Sequence, residues 1–136
     1  MAKSILKMTS LLEERIKSED KEKMTSLIIS DYYEIIKELI TAILILDGYK
    51  TLSHKDLIDY LKEEYAEFST NEISILHKVR VLRNRIAYEG FLVESNYLYR
   101  NEDIFKSAIE KLKKLIKNKV GWQMNAKQLK KKYLDF

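Results

Sequence analysis

The chain has 136 residues, 46% hydrophobic and 34% charged, with a formal net charge of +4; this balance excludes a disordered polymer and supplies enough chain for a buried core. It has no proline, only three glycines and no cysteine. A turn-rich β-sandwich or barrel is therefore disfavoured, and disulfides and thiolate chemistry are excluded.

Two histidines, His54 and His77, are too few for an ordinary histidine-rich zinc site, so neither a metal nor a cofactor is expected. The longest apolar run, residues 39–46, is far too short to span a membrane. Lys3 and Lys7 are not followed by a long uncharged apolar stretch, which predicts a cytoplasmic protein without a signal peptide.

In chain order, Ser4 is placed to cap a first helix over residues 4–19, with Ile5, Met8, Leu11, Leu12 and Ile16 at helical spacing. The charged stretch 17–23 predicts a turn. A longer helix follows from about residue 22 to 47, stopped by Gly48, and becomes apolar on most sides toward its end. Such a helix belongs at the centre of a bundle. Ser53 and Asp56 have the spacing of a capping box that opens a shorter helix to about residue 65. Ser69 and Glu72 repeat that signal for a helix ending at Gly90, with Ile73, Leu76, Val79 or Val81, Leu82 and Ile86 on its apolar face. Residues 91–96 are too short and mixed to assign, and Tyr97 and Tyr99 read as buried rings on an irregular loop. Asn101 is placed to cap a final helix that ends at Gly121. The basic tail, 119–136, carries Trp122, Leu129, Tyr133 and Phe136 and reads as a short docked helix. These elements add up to a single all-α domain over residues 1–136, an up-and-down bundle of four to five helices.

No glycine-rich phosphate loop, HExxH pair or nucleophile elbow occurs. Adjacent carboxylates such as Glu13 with Glu14, or Glu63 with Glu64, diverge on a helix and form no acid–base pair. His54, just after a cap, is expected to be exposed. The distinctive stretch is residues 70–90, TNEISILHKVRVLRNRIAYEG, in which Arg80, Arg83, Asn84 and Arg85 crowd the second half. A helix dipole favours cations there, which accounts for part of the pattern. His77 precedes Asn84 by seven residues and Tyr88 by eleven, and is expected as a hydrogen-bonded, partly buried histidine beside this patch. From Phe105 onward there are ten lysines against Glu110 and Asp135, whereas residues 1–104 carry 15 basic and 19 acidic residues. A basic C-terminal third suits either a solvated face or an anionic partner.

Residues 31–50, DYYEIIKELITAILILDGYK, together with SHKDLI at 53–58 and LRNRIAYEG at 82–90, resemble the HEPN superfamily over roughly residues 20–118. The resemblance implies a bundle of four or five helices, frequently a homodimer with a composite site, and no metal or cofactor. Active members are similar to metal-independent ribonucleases in which a 2′-hydroxyl attacks the neighbouring phosphate. Their signature places an arginine, a polar residue and then a histidine, and Arg83, Asn84 and Tyr88 occupy those positions. Tyr88 departs from the pattern: a phenol titrates near pH 10 and is a poor base at neutral pH. Arg80, Arg85 and His77 then read as neighbouring nucleic-acid contacts. The resemblance also implies a minimal nucleotidyltransferase as a partner. RNA or nucleotide binding, with endoribonuclease activity weakened at Tyr88, is the leading expectation. An inactive dimeric scaffold and a DNA-binding protein using the basic C-terminus are the alternatives.

Overall fold

The computed structural model describes residues 2–50 and 53–121, and within these spans five α-helices and no strands. They are α1 (Ala2–Ser18), α2 (Thr25–Leu46), α3 (His54–Glu64), α4 (Thr70–Glu89) and α5 (Ser95–Gly121). The tail with Trp122, Leu129, Tyr133 and Phe136, and the side chain of His54, lie outside the described residues.

The centre is α2. Ile28, Ile29, Ile35, Ile36, Leu39, Ile40, Ile43 and Leu44 are all fully or almost fully buried. Each such side chain contributes about 1.5–3 kcal/mol by leaving water, more than a typical net hydrogen bond of about 1 kcal/mol. Apolar burial around α2 therefore dominates the fold. Leu6 and Ile16 of α1, Leu57 and Leu61 of α3, Ile73, Leu76 and Val79 of α4, and Phe105, Leu112 and Ile116 of α5 close over it. Of the two valines left open by the sequence, Val79 is buried and Val81 is exposed. α1 is thus part of the core.

Helix directions follow from polar contacts at the ends of α2. Lys21 and Tyr32 both donate to Glu102 near the start of α5, each at 2.7 Å. Lys119 near the end of α5 donates to Asp47 just past α2. α5 therefore runs parallel to α2, while α1, joined to α2 by a short turn and by an Arg15–Asp31 fork at 2.9 and 2.6 Å, runs against it. α4 ends beside the start of α2, where the Val93 amide donates to Ser26 Oγ at 2.8 Å, so it too runs against α2. These four helices alternate up and down, and the short α3 packs between α2 and α4 at the C-terminal end of α2. There, Asp47 accepts from Tyr60 and Tyr65.

The caps are largely as predicted. Ser69 and Glu72 form a reciprocal capping box on α4, Ser53 accepts from the Asp56 amide on α3, and Gly90 ends α4 in the left-handed region at φ 64°. Three boundaries differ. Ser4 lies inside α1 rather than capping it. α2 starts at Thr25, after a turn in which Asp20 accepts from the amides of Glu22 and Lys23. Tyr97 and Tyr99 are helical, because α5 begins at Ser95, and Asn101 is not a cap: its side-chain amide donates to the Tyr97 carbonyl one turn back. Tyr97 packs against the core, and Tyr99 reaches outward to Glu22 at 2.7 Å. Lys119 and Val120, which fall both before the expected Gly121 stop and within the 119–136 tail span, are helical in α5, and Val120 is buried.

Burial pushes the carboxyls of Asp47, Glu72 and Glu102 up, but hydrogen bonds outweigh it and hold all three below the usual carboxylate range. The donors are Lys119, Tyr60 and Tyr65 for Asp47, Lys111 and Ser69 for Glu72, and Lys21 and Tyr32 for Glu102. The stability they confer is full above the unfolded carboxylate pKa of about 4 and disappears as pH falls through the depressed folded values. Urea melts of Asp47→Asn should show a loss of about 2 kcal/mol near neutral pH and a shallower decline than wild type below about pH 4. Parallel acid declines in the two proteins would remove Asp47 from the account.

Candidate anion site between α2 and α4

The arginine-rich half of α4 does not present all its cations on one face. Arg83 turns toward α2, where its Nη2 donates to Glu34 Oε1 at 3.1 Å. Its Nη1 lies 3.4 Å from Asn84 Oδ1, a long contact that leaves most of the amide's capacity unused. The other oxygen of Glu34, Oε2, accepts from Lys37 Nζ at 2.7 Å, and Lys37 also reaches Glu38 at 3.1 Å. Arg80, one turn before Arg83, lies close enough to Tyr33 for the two guanidiniums to act on its phenol. Burial pushes that phenol up to about 12, with Arg80 and Arg83 pulling the other way. Arg80 Nε is buried and has no hydrogen-bond partner among the described residues. Burial of Lys37 disfavours its charge, but Glu34 and Glu38 outweigh this and raise its pKa, so it is an ammonium.

The cluster thus sets three cations, Arg80, Arg83 and Lys37, against two carboxylates, Glu34 and Glu38, with Asn84 and Tyr33 as neutral polar groups. The Arg83–Glu34 pair is only about a quarter exposed, 24% and 27%, so its charges are less screened than those of a surface pair. The cluster carries one more positive than negative charge and offers guanidinium and ammonium donors of the kind that hold anions, with carboxylates already seated on Arg83 and Lys37.

The remaining candidates lie elsewhere. Tyr88 is 81% exposed, on the outer face of α4 with Val81. Five residues along a regular helix turn the side chain by about 140° from Arg83, and α4 stays regular to Glu89. One chain therefore does not bring Tyr88 and Arg83 to a common phosphate. Arg85 is committed at the helix end, where it pairs with Glu89 at 3.1 Å and stacks 3.9 Å above the Phe91 ring. His77 Nε2 lies 3.0 Å from Asp59 Oδ1 on α3, a helix–helix contact in keeping with the partly buried histidine expected there.

Sequence reasoning missed Tyr33, Glu34 and Lys37. A signal was present: Glu34, Lys37 and Glu38 are the charges inside an otherwise apolar stretch of α2, and charge retained on such a helix needs a partner. The lysine excess of the C-terminal third is also smaller in effect than its count suggests. Lys111 is bound to Glu72, Lys113 to Glu13 and Lys119 to Asp47. Among the described residues no group of three or more metal-ligating side chains could hold an ion, and no helix is long and apolar enough to cross a membrane.

A double-mutant cycle on Glu34→Gln and Arg83→Gln should give a coupling energy of about 1 kcal/mol in thermal or urea unfolding. A cycle on Arg85 and Glu89, both exposed, should give less than half of that. Equal couplings would mean that the α2–α4 pair gains nothing from its partial burial.

No protein-family model, no curated protein and no solved structure matches the chain; the bundle and the α2–α4 charge cluster are what its function must be argued from.

Proposed function

We propose that this chain is a HEPN-like helical protein that binds RNA or a nucleotide phosphate through Arg83, Arg80, Asn84 and Lys37. The observation that carries the reading is the gathering of these donors between α4 and the buried α2, on a rigid frame rather than on loops. Arg80 Nε, buried without a hydrogen-bond partner among the described residues, supports it, because a guanidinium donor left unsatisfied is costly unless something fills it. An incoming phosphate oxygen is a suitable acceptor for these planar donors.

The reading includes a homodimer. Leu92 is 83% exposed, and Tyr88 and Leu27 are exposed as well. Leu27 and Leu92 border a groove of about 500 Å³ with Met24, Ile86, Phe91 and Val93. Apolar exposure at one end of a bundle supports pairing of copies. Cleavage is assigned a lesser part than binding: the residue in the position of the family's histidine is a phenol directed away from Arg83, so a single chain does not bring that motif position to the phosphate. A second reading, a scaffold without RNA, is favoured by the Arg83–Glu34 pair itself, since it gives Arg83 a structural partner.

The two readings separate in one comparison. Under the RNA reading, Arg83→Ala weakens binding of a single-stranded RNA tenfold or more, in line with loss of a charge-assisted contact of roughly 1.5–3 kcal/mol. Wild type shows little cleavage in EDTA, and Tyr88→His raises it. Unchanged RNA affinity in Arg83→Ala, with altered dimerisation or stability, would instead establish the scaffold.

A further inference from the structure

We infer that Glu34 is a latch on the anion site: its carboxylate occupies Arg83 in the free protein and must be displaced onto Lys37 before a phosphate can bind. The inference rests on the proposed reading of the site and adds to it a residue that sets how tightly an anion must be held to bind.

The geometry separates the two jobs of the carboxylate. Oε1 faces Arg83 at 3.1 Å and Oε2 faces Lys37 at 2.7 Å. Lys37 lies one turn along the same helix, so its hold on Glu34 does not depend on α4. When Arg83 is drawn to a phosphate, only Oε1 loses its partner. The side chain is 27% exposed, so water can solvate the freed oxygen, and the shorter of the two ion pairs survives. Glu38 gives Lys37 a second carboxylate at 3.1 Å and is not hydrogen-bonded or ion-paired to Arg83. Glu34 is therefore shared between a cation on the neighbouring helix and one on its own.

A latch of this kind sets a threshold that every anion must meet. An isolated monoanion must displace the carboxylate with one contact, one ion pair exchanged for another of similar strength. A ligand with several phosphates makes further charged contacts and can offset the displacement. The substrate class that fits is an oligonucleotide strand rather than a free phosphate or a mononucleotide.

The test measures binding of a fluorescein-labelled single-stranded RNA dodecamer by anisotropy at fixed ionic strength. AMP serves as a competitor, and circular dichroism melts confirm folding. Glu34→Gln keeps the side-chain shape and removes the competing charge; it should bind the RNA roughly three- to tenfold more tightly. AMP affinity should rise by the same factor, since both ligands displace the same latch. Glu38→Gln changes the net charge equally and should alter affinity less than twofold. In Glu34→Gln with Arg83→Ala the gain should vanish, leaving the affinity of Arg83→Ala alone. Equal gains in Glu34→Gln and Glu38→Gln would overturn the latch in favour of general electrostatics. No gain in a folded Glu34→Gln, while Arg83→Ala still weakens binding, would overturn the latch and leave the anion site standing. RNA affinity indifferent to Arg83→Ala would overturn the site itself, and the latch with it.

Discussion

A helix that is apolar on almost every side must be covered on almost every side, and the burial of α2 is the constraint from which the remainder of this bundle follows. Isoleucine and leucine fill its length, and each is worth more in burial than the polar contacts around it. α1, α4 and α5 run along it, and α3 packs near its C-terminal end. One stripe is left less covered: Leu27, Ser30, Glu34, Glu38, Thr41 and Ile45 recur at three- and four-residue spacing and are partly or fully exposed. Glu34 sits on that stripe. The charge cluster proposed to hold an anion thus lies where the covering ends, with α4 supplying its arginines at the border between the core and water.

Polar contacts then fix the register of helices that apolar packing alone would leave free to slide. Glu102 gathers Lys21 and Tyr32 at one end of α2, and Asp47 gathers Tyr60, Tyr65 and Lys119 at the other. Each carboxylate ties helices distant in sequence, which is the use of buried polar groups best supported on physical grounds: they specify one arrangement among several of similar apolar burial. The same contacts consume charges that a count along the sequence would assign to a partner. Lys111, Lys113 and Lys119 illustrate this, since each answers an acidic residue on another element.

What the sequence made legible was local. The capping box of Ser69 and Glu72, the left-handed stop at Gly90 and the central place of α2 follow from spacing within one helix or its ends, and all are present. The start of α5 was not legible, because Asn101 has the chemistry of a cap and no local feature says that Ser95 begins the helix instead. Asn101 turns that chemistry back on the preceding turn. The candidate site was legible by half. Arg80, Arg83 and Asn84 stand out on α4, but Glu34 and Lys37 lie about fifty residues earlier, and only the packing of α4 on α2 brings them together. Tyr88 and Arg83 follow the spacing of the resemblance, yet helix geometry turns them apart in a single chain.

The central claim is that the α2–α4 border, and not the lysine-bearing surface of α5, receives the anion. Amide chemical shifts of the labelled protein during titration with a single-stranded RNA oligonucleotide test it most directly. The account predicts that the largest changes fall on residues 33–38 and 80–84, at the two sides of the Glu34–Arg83 pair. Changes centred on Lys106, Lys114 and Lys117, with residues 33–38 undisturbed, would contradict it.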